Sequence, residues 1–504
     1  MPSTEYGKIL QRARNAFKGG ITKNVDFRIQ QLNNMYRMLS ENEKQLNLAV
    51  EEDLSKPHQE ASIYEIEFVL NDIRCMKQNI QSWVKAIPAE KNFITLLDET
   101  FVKPEPYGVV LVLGAWNYPI QLSLCPMIGA ITAGNCCILK PSELAPKCAE
   151  LMATLVPKYM DPECFHVING GPEETIELLK EQFDYIFYTG STRVGQLVRE
   201  AANKYLTPVT LELGGKSPVY IDDSVNLEVA CRRLLWGKCI NAGQTCVAPD
   251  YLMCTKELQE KLIPAMKKVL KEYFGEDPKK SPDLGRVLNN KHFNYISRLL
   301  SLTKKGTIVI GGEHDEDTNY IAPTVITNVT PSDPIMQEEI FGPLFPIVTV
   351  DGPDDAIDII NSKDKPLTLN VYSKKNNIIK KFLDNTSSGS VCVNDSIVNL
   401  SIDALPFGGV GKSGIGAYHG KYSFDTFSHK KAVLIRNYAM IGEKLGEARY
   451  PPYSPTKEKY LKRLIKRRPN LIPPHMDYVA MFVGGFLAAV VIKVILHFAG
   501  VKYF

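Results

Sequence analysis

The sequence predicts an α/β protein with two open, parallel sheets facing each other across a cleft. Two observations carry this reading. Short, unbroken apolar runs end in Gly or Pro, as buried parallel strands do, and turns with helical stretches follow them. The second half of the 504-residue chain repeats that style without repeating the sequence, so two such layers are expected.

The elements follow in order. The first hundred residues alternate charged and apolar positions, as in FRIQQLNNMYRMLSENEKQLNLAVEEDL (27–54), and read as two or three amphipathic helices covering a sheet. PYGVVLVLGAWNYP (106–119) is a buried strand ending in a turn, and NCCILKPSE (135–143) is another, stopped by Pro141. YIFYTGSTRVGQLV (185–198) gives a third strand, a Gly turn and a helix. PVTLELGGKSPVYIDD (208–223) holds two strand segments around a Gly-Gly break. HFNYISRLLSLTKKGTIVIGGE (292–313) reads as helix then strand, and PLFPIVTVDGPDDAIDIINS (343–362) as strand then helix. SSGSVCVNDSI (387–397) is a further strand, followed by the Gly-rich loop PFGGVGKSGIG (406–416).

Composition excludes several classes. Hydrophobic residues at 44% and charged residues at 23% are ordinary for a globular protein. A net charge of +3, with no zinc-finger or RNA-binding motif, argues against nucleic acid as a partner. The 11 cysteines are scattered without framework spacing, which suits reduced thiols in a cytosolic compartment. No Cys/His cluster is spaced to hold a metal, and the N-terminus lacks a signal core or an Arg-rich presequence.

The C-terminal end differs. YVAMFVGGFLAAVVIKVILHFAGV (478–501) contains one certain charge, Lys493, in 24 residues. As a helix it would run about 36 Å, enough to cross a hydrocarbon core of roughly 30 Å. Lys493 lies in the C-terminal third and can snorkel to the interface. KEKYLKRLIKRR (457–468) precedes it, with seven basic residues and one acidic one, and suits anionic lipid. A membrane anchor on a cytosol-facing body is the expectation; a greasy helix in a dimer interface is the alternative.

Several residues could carry chemistry. GSTRVG (190–195) sits between strand and helix, where N–H groups and the helix dipole can hold a pyrophosphate. It is not GxGxxG, since Thr192 takes the second Gly position, and alone it is equally well a plain turn. Lys140 and Glu143 follow a strand end and could hold the two hydroxyls of a ribose, or form a solvated loop pair. Asn117 follows LGAW and could donate to a developing oxyanion, or simply form a turn. Glu212 is an acidic residue in the apolar strand LELGG; if buried, its carboxyl would have the raised pKa of a general base. Cys246 lies in NAGQTCVAPD (241–250), among small residues whose N–H groups favour thiolate and an oxyanion site. By itself, one among 11 cysteines, it reads as an inert thiol.

Together, GAWNYP, LKPSE, YTGSTRVG, LELGGKSP, NAGQTCVAPDY, QEEIFGP and PFGGVGKSG, in this order and spacing, resemble the aldehyde dehydrogenase superfamily. GAWNYP, TCVAPDY and HGKYSFDTFSH (419–429) are similar to its class 3 branch, and the apolar tail to the tail-anchored microsomal fatty aldehyde dehydrogenases. The resemblance runs from about residue 5 to the C-terminus. It implies two Rossmann-like domains: cofactor-binding at 1–211, with part of an oligomerisation element near 88–106, and catalytic at 212–430. An oligomerisation extension at 431–455, an amphipathic basic helix at 456–468 beside the substrate entrance, and the transmembrane tail at 478–501 complete the chain.

The resemblance further implies Cys246 as nucleophile, Glu212 as general base, and Asn117 with the Cys246 N–H as oxyanion hole. Gly190, Ser191 and Gly195 would form the cofactor turn, Lys140 and Glu143 would hold the adenine ribose, Glu339 the nicotinamide ribose, and Phe341 would pack near the ring. NAD is the implied cofactor, NADP possible, with no metal. The implied reaction is oxidation of medium- to long-chain aldehydes by a homodimer on the cytosolic face of the endoplasmic reticulum. A cysteine acyl-transferase or hydrolase without a redox cofactor, or a non-catalytic membrane-anchored scaffold, are the competing readings.

Overall fold

The computed structural model describes residues 4–91, 95, 98–436, 438 and 440–466. The chain divides into two compact units, 1–85 with 104–431, and 86–103 with 432–504.

In the larger unit, the first sheet has six strands. Their spatial order is Gly414–Ile415, Val209–Glu212, Tyr185–Thr189, Val109–Leu113, Cys136–Lys140 and Phe165–Val167. All pairs are parallel except Gly414–Ile415, which runs against Val209–Glu212. Val109–Leu113, Cys136–Lys140 and Tyr185–Thr189 are buried at every residue. Both faces are covered, so these strands carry no alternation. The helix Gln121–Ala133 is likewise buried all round. From Val109–Leu113 the chain builds outward first to one side and then to the other. That reversal leaves a crevice at the carboxyl ends of Val109–Leu113 and Tyr185–Thr189.

The second sheet has seven strands, in the order Thr307–Ile310, Thr324–Val329, Leu344–Thr349, Tyr251–Cys254, Pro218–Ile221, Thr368–Tyr372 and Ser390–Val393. Only the edge strand Thr307–Ile310 is antiparallel. Its two faces feed separate cores: Val219 and Leu252 pack on one side, Tyr220 and Met253 on the other.

The expectations of strands and helices from residue 106 to 397 match these elements, and the two halves of PVTLELGGKSPVYIDD enter different sheets. Two findings differ from the sequence reading. The N-terminal region contains five α-helices and a π-helical stretch, Ser62–Glu67, through Trp83 rather than two or three helices. The Gly-rich loop is not only a loop: Gly414 and Ile415 pair with Glu212 and Leu211 and close the edge of the first sheet.

Ile87–Pro88, Glu99–Pro106 and Ser428–Ile435 form a three-stranded sheet, of which 87–88, 99–103 and 432–435 belong to the smaller unit. A helix spans Pro455–Ile465, capped by Ser454, whose hydroxyl accepts the Lys457 N–H at 3.2 Å. It covers most of the expected basic helix; residues 467 and 468 and the expected transmembrane segment 478–501 lie outside the described residues. Among the described residues no helix is long and apolar enough to cross a membrane.

Candidate active site

Cys246 sits at the end of a distorted turn. Asn241, Ala242 and Gly243 have φ of 52°, 52° and 77°, three successive left-handed residues. For the two that are not glycine this costs roughly 1–2 kcal/mol each. Side chains hold the turn against that strain. Asn241 Nδ2 donates to the Asn117 carbonyl at 2.8 Å and to the Gln244 carbonyl at 3.1 Å. Gln244 Nε2 donates to the carbonyls of Asn241 and Arg286, and its Oε1 accepts the Leu288 N–H.

Asn117 follows the strand Val109–Leu113 at the crevice. Its Nδ2 donates to the Gln244 carbonyl at 3.1 Å, which holds the amide two residues from Cys246. An amide nitrogen has two N–H donors, and Asn117's second one has no acceptor among the described residues. Tyr118, next in sequence, hydrogen bonds Thr245 at 2.8 Å.

The Cys246 thiol is pushed up to about 12, by burial first and then by the nearby carboxylates of Glu339 and Glu212; the N–H groups of Cys246 and Val247 oppose the shift. The turn's N–H groups do favour thiolate, as expected, but they do not decide the net shift. Two N–H dipoles do not outweigh desolvation and two acidic neighbours, so the resting sulfur is protonated.

Glu212 is the last residue of its strand and is 2% exposed. Neither carboxyl oxygen has a hydrogen-bond partner among the described residues, and burial raises its pKa well above the carboxylate range. Its backbone is fixed on both sides: its carbonyl accepts the Gly190 N–H at 3.0 Å, and Gly414 pairs with it across the sheet edge.

The residues expected to hold a dinucleotide lie along the crevice. Lys140 ends the strand next to Val109–Leu113 and pairs with Glu143 at 2.7 Å. Ser191 caps the helix Thr192–Asn203, and its Oγ accepts the Val194 N–H at 3.5 Å. Gly195 packs on Leu213, where a Cβ would collide with that side chain. Glu339 rests on the Gly214–Gly215 backbone, so closely that any side chain at Gly214 would displace its carboxylate. Burial pushes Glu339 up to about 8, the Asp250 charge adds to this, and the Gly215 N–H lowers it. An N-capped helix at the crevice, a cation paired with a carboxylate at the neighbouring strand end, and a second carboxylate beside Cys246 fit a dinucleotide.

Phe341 has φ of 51°, strained for an aromatic residue, and its ring packs edge-on against Trp116 at 5.5 Å and His292 at 6.1 Å. Trp116 adjoins Asn117, so this cluster ties the QEEIFGP segment to the segment that carries Asn117.

Sequence reasoning missed the support beneath Asn117. Lys56 and Glu65 form an ion pair of 2.6 Å with both side chains fully buried. Lys56 Nζ also donates to the Asn117 carbonyl at 3.0 Å and lies 3.9 Å from the centre of the Tyr118 ring. Glu65 Oε2 accepts the N–H groups of Ile120 and Gln121, both at 3.1 Å. Lys56 and Glu65 lie in what reads as an ordinary amphipathic stretch, and nothing local marks them. Among the described residues no His, Cys, Asp and Glu cluster could hold a metal ion.

Comparison with known proteins agrees with this geometry. The profile described as "Aldehyde dehydrogenase family" matches residues 2–433. "Aldehyde dehydrogenase family 3 member A2" of Mus musculus is 50% identical over 459 residues, covering 91% of this chain and 94% of the relative. Among solved structures, the substrate-bound state of Staphylococcus aureus AldH superposes with a TM-score of 0.88 at 40% identity, covering 92% of this chain and 100% of that one. The NAD-dependent aldehyde dehydrogenase from Sinorhizobium meliloti gives 0.78 at 25% identity, covering 86% and 88%.

Proposed function

The chain belongs to the aldehyde dehydrogenase family, and we propose that it oxidises medium- to long-chain aliphatic aldehydes through a covalent adduct on Cys246. It is an NAD(P)-dependent aldehyde dehydrogenase. The observation that carries the mechanism is the pairing of Cys246 with Glu212, a buried carboxyl with no hydrogen-bond partner among the described residues.

Cys246 Sγ, its proton passed to solvent water, attacks the aldehyde carbon and forms a tetrahedral thiohemiacetal. The free N–H of Asn117 and the Cys246 N–H stabilise its oxyanion. A dinucleotide would be held by Lys140, Glu143, the Gly190–Ser191–Gly195 turn, Glu339 and Phe341, and would supply the hydride acceptor. Oxidation leaves a thioester on Sγ. Glu212, in its ionised form, takes a proton from water, which attacks the thioester and releases the carboxylic acid, with Sγ leaving as the thiolate. Hydrolysis without oxidation is disfavoured, because the crevice residues would then have no ligand to hold.

The finer reading of substrate and place rests on the C-terminal region. The basic helix Pro455–Ile465 and the apolar stretch 478–501 support anchoring to an intracellular membrane, the endoplasmic reticulum, with the body in the cytosol. A bilayer is the reservoir of long-chain aldehydes, and a homodimer is the proposed assembly. Truncation before residue 455, assayed with hexadecanal in vesicles and with a short aldehyde, tests this. Selective loss with hexadecanal is expected; equal loss or no loss for both would remove the role of the tail.

A further inference from the structure

The turn before Cys246 is held from a third direction. Glu60, in the one-turn helix His58–Ala61, accepts the Asn241 N–H at 2.8 Å from 181 residues away. That N–H opens the run of left-handed residues, and no other acceptor for it is present among the described residues. Asn241 in turn donates to the carbonyls of both Asn117 and Gln244. One carboxylate therefore braces the residue that joins the oxyanion amide to the nucleophile turn.

We propose that Glu60 is a positioning residue whose ionisation tightens the Cys246 turn, so that the reactivity of Cys246 depends on the charge of Glu60. This rests on the assignment of Cys246 as nucleophile. An N–H bond to an ionised acceptor is stronger than one to a neutral acceptor. Burial raises Glu60 to about 7; the Asn241 N–H and the Lys56 ammonium oppose the shift, and Asp283 adds to it. Tyr64, Tyr118 and Cys239 are the other titratable groups that feel its charge, and all three are neutral in this range. Glu60 thus changes charge near neutral pH while they do not.

The test is site-resolved alkylation of Cys246 by iodoacetamide, followed by peptide mass spectrometry from pH 5.5 to 9 on wild type, Glu60→Gln and Glu60→Ala. Gln keeps a neutral acceptor; Ala keeps none. The ratio of wild-type to Glu60→Gln rates is expected to be near one below pH 6 and to rise about fivefold above pH 8, with its midpoint near pH 7. Glu60→Ala should be slower than wild type across the range. A ratio that stays flat with pH would overturn the proposal. Should the variants fail to fold, hydrogen exchange on wild type decides. Protection of the Asn241 amide, corrected for intrinsic rates, should rise about fivefold from pH 6 to 8, and constant protection would overturn it. Undiminished aldehyde oxidation by Cys246→Ala would instead sink the nucleophile assignment, a distinct result.

Discussion

Glu65 and Glu212 are both carboxylates buried beside the crevice, and they are treated in opposite ways. Glu65 is matched by the Lys56 ammonium and two backbone N–H groups. Glu212 has no partner at either oxygen among the described residues. Burial raises the pKa of both, but only Glu65 has groups that offset it. A satisfied buried carboxylate fixes geometry. An unsatisfied one is a cost to the fold that is tolerated where a proton must move.

Exchanging these roles gives the sharpest tests. Glu212→Gln should lower turnover by two to four powers of ten without unfolding the protein. The stability comparison has a definite sign. A raised carboxyl pKa favours the folded state while the group is protonated, and that benefit is lost as pH rises from the unfolded value through the folded one. Wild type should therefore lose stability relative to Glu212→Gln as pH rises, measured by urea unfolding at several pH values. Lys56→Met should do the reverse and cost about 3–5 kcal/mol of stability by leaving the Glu65 charge buried and unpaired. An activity loss without destabilisation would break the contrast between the two carboxylates.

Asn117→Ala should reduce kcat by about 10²–10³, since its free N–H is used as charge develops, and lower stability by about 1 kcal/mol through loss of its bond to the Gln244 carbonyl. Ser191→Ala is the smallest effect: about 0.5 kcal/mol of stability, given the long 3.5 Å cap, together with weaker dinucleotide binding by calorimetry.

These tests also mark what the sequence could reveal. The buried strands were legible because parallel strands covered on both faces read as unbroken apolar runs, VVLVL and CCILK among them. Cys246 and Asn117 stood out as polar groups at turns beside such runs, and Glu212 as a charge inside one. Lys56, Glu60 and Glu65 did not, because apart from the Lys56–Glu65 pair itself their partners lie 55 to 181 residues away, which no local spacing encodes. The raised thiol pKa is illegible for a related reason: burial of the sulfur first, and then the carboxylates of Glu339 and Glu212, act on it only through the fold. The return of Gly414 to the edge beside Glu212 was hidden by a Gly-rich stretch that reads as loop.

The central claim is that aldehyde oxidation passes through a thioester on Cys246 that Glu212 helps to hydrolyse. Acid quenching of Glu212→Gln after mixing with NAD and hexadecanal, followed by peptide mass spectrometry, tests it most directly. The fatty acyl group is expected on the Cys246 peptide and on none of the other cysteines. An unmodified Cys246 while NADH forms, with Cys246→Ala as active as wild type, would contradict it.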